Sequence, residues 1–109
     1  MTRLEILEKV IAGFESQEWH PSKTDDDDTY FYHHPEGLRC AAGWLIPDEL
    51  YNVRMEGQIF TLLDYVKLGF SKEEADYIEY LQGLHDGAVS PEGLKDVFMA
   101  HRKELMDEA

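Results

Sequence analysis

The chain has 109 residues, 43% of them hydrophobic, and carries 23 Asp and Glu against 10 Lys and Arg, a formal net charge of -13. That length predicts one domain around one modest core and excludes a second core of useful size. The charge argues against direct nucleic-acid binding, which needs a basic face to displace phosphate counterions. No apolar run approaches the ~20 residues that span a bilayer, and a lone cysteine rules out an internal disulfide.

Residues 2 to 17 read as an amphipathic helix, with Leu4, Leu7, Val10, Ile11 and Phe14 at spacings of three and four, Thr2 and Glu5 placed for a capping box, and Trp19 closing the apolar face. The opening Met1-Thr2-Arg3-Leu4-Glu5 lacks a signal peptide's apolar block, so the expected location is the cytoplasm. Residues 20 to 28 carry no periodicity and end in Asp25, Asp26, Asp27 and Asp28, four adjacent like charges that predict a mobile acidic loop.

Thr29 to His33 is aromatic and β-branched, Leu38 to Leu45 is a short apolar run, and Pro35-Glu36-Gly37 between them is turn chemistry, a pattern that predicts a β-hairpin. Pro47 ends the second strand and opens a short helical turn over 47 to 51. Ile59, Leu62, Leu63 and Val66 then suggest a helix stopped by Gly69. Ser71 and Glu74 form a second capping box ahead of a stripe of Ala75, Ile78, Leu81 and His85. Ser90-Pro91 opens a last helix with Leu94, Val97, Phe98, His101 and Leu105 as its buried face. The predicted class is α+β: about four helices and one hairpin in a single domain.

Three blocks hold the most specific order in the chain: Cys40-Ala41-Ala42-Gly43-Trp44-Leu45-Ile46-Pro47-Asp48-Glu49-Leu50-Tyr51, then Glu56-Gly57, and Leu81-Gln82-Gly83-Leu84-His85-Asp86. Together with the N-terminal amphipathic helix, they resemble a group of small bacteriophage and prophage proteins over about two thirds of the chain. Tyr51 sits one place later than in that pattern, and the acidic loop is longer. The resemblance implies phage or prophage coding and brings no reaction with it. The small and aliphatic residues of the 37 to 57 block describe close packing better than chemistry.

Cys40, His85 and Asp86 are the one combination able to supply a nucleophile, a base and an orienting acid. Two features weigh against it: Cys40 falls in an apolar segment where burial makes a thiol inert, and adjacent helical positions diverge by about 100°, which separates His85 from Asp86. On this reading His85 is a structural histidine at a helix end. His33, His34, Cys40 and His85 are residue types that suit zinc, but no spacing among them is diagnostic, and the four aspartates lack the spacing of a calcium loop. No cofactor or metal is expected.

Tyrosines beside carboxylates make protein-recognition surfaces, because rings supply contact area and charge steers a basic partner. Phe31, Trp44 and Tyr77 read as core, whereas Tyr32, Tyr51, Tyr65 and Tyr80 are interface candidates. The expected partner-binding set is Asp25, Asp26, Asp27, Asp28, Tyr32, Asp64, Glu73, Asp76, Glu79 and Tyr80. The expected function is non-enzymatic: binding a basic host protein, with mimicry of nucleic-acid phosphates as the sharper form. The rival reading is a small hydrolase or metal-dependent protein that uses Cys40 and His85.

Overall fold

A computed structural model describes residues 1–22, 31–34, 37–88 and 90–108. Helix α1 (Arg3–Ser16) starts at Thr2, whose hydroxyl accepts from Glu5 N at 3.0 Å while Glu5 Oε1 accepts from Thr2 N at 2.8 Å. This reciprocal box satisfies two backbone donors that a helix start leaves open. Ile6, Leu7, Val10, Ile11 and Phe14 are its buried face. The chain then reverses through Glu18 and Trp19, both left-handed with φ of 55° and 65°. Such backbone costs about 1–2 kcal/mol per residue. The expense is offset by the Trp19 ring, which is buried against Phe14 at 5.7 Å and Phe98 at 6.5 Å.

Helix α2 (Lys72–Asp86) opens with the second capping box, Ser71 with Glu74, and buries Ala75, Tyr77, Ile78, Leu81 and His85. Gly87 ends it. A short connection leads into α3 (Pro91–Glu108), where Ser90 Oγ accepts from Gly93 N at 3.0 Å. Leu94 and Phe98 are buried, His101 and Leu105 half-buried, and Val97, expected inside, is exposed. All three helices pack on one another, and Arg102 of α3 pairs with Glu8 of α1.

Between α1 and α2 the described chain runs through four 3₁₀ turns, Ala42–Leu45, Asp48–Leu50, Val53–Met55 and Phe60–Leu62. The first packs on α1 and α2 and the last on α2. The second matches the predicted turn over 47 to 51.

The α+β class is corrected. The fold is helical, and among the described residues pairing is limited to one antiparallel bridge, His33 to Arg39, with no strand. Thr29, Tyr30, Pro35 and Glu36 of the expected hairpin lie outside the described residues. Past Arg39 the ladder cannot continue, because Ala41 is helical at φ -53° and ψ -54° and Trp44 N donates back to Cys40 O at 3.2 Å. A run of Ala, Ala and Gly is small enough to wind tightly inside a core, which a strand of larger residues is not.

The helix expected over 59 to 69 is also absent. Ile59, Leu62 and Val66 of its stripe are exposed, while Phe60, off the stripe, is buried with Leu63 and Phe70. Leu62 N bonds Ile59 O and Leu63 N bonds Phe60 O, single turns that aim Phe60 and Leu63 inward. One hydrophobic cluster joins these segments to the helices. Among the described residues no helix is long and apolar enough to cross a membrane.

Candidate functional site

The 37 to 57 block is built for packing. A Cβ on Gly43 would stand 1.9 Å from the Tyr32 carbonyl oxygen, and one on Gly13 would stand 2.2 Å from the Trp44 ring, so neither position has room for a side chain. Cys40, Ala41, Ala42, Leu45 and Ile46 are buried around them. The Glu56 carboxylate takes the place of a neighbouring strand. It accepts from Tyr32 N at 2.7 Å, His33 N at 3.0 Å and the Tyr51 hydroxyl at 2.6 Å. His33 stacks on Tyr51 at 4.1 Å, and its Nε2 donates to the carbonyls of Gly43 (3.1 Å) and Ile46 (3.0 Å). The Leu-Gln and His-Asp residues of α2 belong to the same network. Gln82 Oε1 accepts from Ala42 N at 3.1 Å, and Gln82 Nε2 donates to Asp86 Oδ1 at 2.8 Å.

His85 lies stacked against Phe14 with no exposed surface. Its Nε2 accepts from Ser22 N at 2.9 Å, which places the proton on Nδ1, and Nδ1 donates to Asp86 Oδ1 at 3.0 Å. The expectation that adjacent helical positions keep His85 and Asp86 apart is therefore corrected. The helical offset fixes where the two Cβ atoms start, and the longer side chains still meet beside the last turn of α2. Cys40 is likewise sealed from solvent, and burial pushes its thiol far above the ordinary range, with hydrogen bonds from Gly43 and Gln82 opposing only part of the shift. Among the described residues no three His, Cys, Asp or Glu side chains gather as a metal would require, and the candidates His33, His34, Cys40 and His85 are not brought together.

A different constellation forms where the start of α2 lies beside the end of α3. The two helices pack side by side and run back on each other, so Glu73, Asp76, Tyr77 and Tyr80 face His101, Glu104, Leu105 and Glu108. Arg3 and Ile6 of α1 close the third side of this groove, whose volume is about 740 Å³. Its aromatic wall is ordered. Tyr77 and Tyr80 stack at 6.3 Å, His101 meets Tyr80 edge-on at 5.2 Å, and the Tyr77 hydroxyl bonds His101 Nε2 at 2.7 Å. The Arg3 guanidinium lies over Tyr77, 5.3 Å from the ring centre. Burial raises the Tyr77 pKa to about 12 and lowers that of His101, which keeps the imidazole uncharged at neutral pH.

Of the expected partner-binding residues, the groove gathers Glu73, Asp76 and Tyr80. Glu79 is half-buried and accepts from the Thr61 hydroxyl at 2.9 Å, and Asp64 caps a turn by accepting from Lys67 N at 3.2 Å, away from the groove. Tyr32 is buried with its hydroxyl donating to the Gln58 carbonyl, so it leaves the exposed set; with Glu79, Gln82 and Asp86 it lines a second groove of about 520 Å³. Asp25, Asp26, Asp27 and Asp28 lie outside the described residues. Sequence reasoning missed Arg3, His101, Glu104 and Glu108. The signal was present, since 101, 104, 105 and 108 form an i, i+3, i+4, i+7 stripe on α3. The chain matches no protein-family model, no curated protein and no solved structure.

Proposed function

We propose that this chain is a non-enzymatic, phage-encoded accessory protein that binds a basic host protein through the acidic, tyrosine-containing groove of α2 and α3. One observation carries the reading: Glu73 and Asp76 on one helix and Glu104 and Glu108 on the other surround the exposed Tyr80. Carboxylates held at helical intervals on a rigid frame can stand where the phosphates of a nucleic acid would stand. A host defence or DNA-handling enzyme, whose groove is basic, is the natural target. The net charge of -13 would steer the encounter and make affinity fall with salt. Nucleophilic chemistry at Cys40 and His85 draws no support from the geometry, because both side chains are fully buried and both His85 ring nitrogens are engaged.

Capture of host proteins on the immobilised chain tests this. The expected result is a basic nucleic-acid-handling protein that is retained at low salt, lost at high salt and displaced by duplex DNA. A captured protein that is indifferent to both salt and DNA would refute the mimicry.

A further inference from the structure

The groove has more detail than charge complementarity alone requires. A general acidic surface needs no ordered rings, yet Tyr77, Tyr80 and His101 are in mutual contact at one end of it, and Tyr80 keeps about half of its surface open (52%). The chain already places one guanidinium on this wall, that of Arg3 over Tyr77. Ile6 and Leu105 add apolar surface of the kind that an aliphatic side-chain stem covers.

We infer that this groove receives an arginine side chain of the basic partner, stacked on the open face of Tyr80 and held by the carboxylates of Glu73, Asp76 and Glu104, and that Arg3 occupies part of the same wall in the free protein. The inference rests on the proposed binding of a basic partner and specifies which side chain is read. Arginine fits better than lysine for two reasons. Its planar guanidinium stacks on aromatic faces and is weakly hydrated, and its fork of donors can serve two carboxylates at once, whereas an ammonium is a strongly hydrated point charge. The His101 imidazole, uncharged at neutral pH, does not repel a cationic guest.

The test is calorimetric titration of the intact chain with an alternating Arg-Gly peptide and with a Lys-Gly peptide of equal length and charge. The Arg-Gly peptide is expected to bind roughly three- to tenfold more tightly. Tyr80→Ala should remove that advantage while leaving the Lys-Gly affinity nearly unchanged; Tyr80→Leu, which keeps the apolar bulk, should do the same if the alanine variant is unstable. Arg3→Gln should tighten Arg-Gly binding more than Lys9→Gln, which makes the same charge change outside the groove. Equal affinities for the two peptides, insensitive to Tyr80, would overturn the arginine site and leave the basic-partner reading standing. Failure of both peptides to bind would overturn both.

Discussion

Gly43, Gly13 and Gly83 separate three uses of one residue type. Gly43 faces a backbone carbonyl that cannot move without shifting the 32 to 34 segment, and Gly13 faces an indole ring that can, whereas Gly83 sits in α2 with nothing within 4 Å of a would-be Cβ. Gly43→Ala should therefore cost about 3 kcal/mol or more and Gly13→Ala about 1–3 kcal/mol, the usual range for overpacking. Gly83→Ala should stabilise the helix by about 0.5–1 kcal/mol. Urea denaturation of the three variants checks the order, and equal effects at positions 43 and 83 would show that the close approach is absent. Sequence alone marked the block containing Gly43 as small-residue packing but gave no hint of its neighbour, since Tyr32 reaches it through the Glu56 clamp rather than through a strand ladder. Tyr32, expected at the surface, is buried instead: a tyrosine in a polar, aromatic stretch looks exposed until its ring is seen inside with its hydroxyl donating to the Gln58 carbonyl.

At the scale of elements, legibility followed local physics. α1 and α2 announce themselves through capping boxes, whose bonds span only three residues, and their buried stripes match the expected ones closely. The 59 to 69 segment failed because two turns of apparent periodicity cannot reveal that Phe60 outcompetes Ile59 and Leu62 for the core. The capping boxes also predict acid sensitivity. Hydrogen bonds from Thr2 hold the Glu5 carboxyl below its usual 4.5, and bonds from the Met1 amine and Ser71 do the same for Glu74. With folded pKa values depressed, the unfolded chain binds more protons in acid, so this contribution is present above about pH 4.5 and is lost as pH falls through the lowered folded values. Glu5→Gln keeps a capping side chain but removes the titration. Its stability should fall less steeply with acid than that of the unaltered chain, as followed by circular dichroism across pH, and an unchanged slope would contradict the role given to Glu5.

For the whole molecule, the balance of charge was legible and its arrangement only in part. The sequence alone names Glu73, Asp76 and Tyr80, which lie on one helix, but the partner stripe of His101, Glu104 and Glu108 joins them only because α3 packs back along α2. Two triple reversals with the same net charge distinguish a groove from a diffuse negative field. Glu73→Lys, Asp76→Lys and Glu104→Lys change the groove, whereas Glu15→Lys, Glu92→Lys and Asp96→Lys change exposed positions elsewhere. The decisive measurement is retention of the captured basic partner by these two variants and by the unaltered chain at one ionic strength, with folding verified by circular dichroism. The groove reversal should lose the partner while the distant reversal keeps most of it; equal loss, or equal retention, would contradict the assignment of binding to this groove.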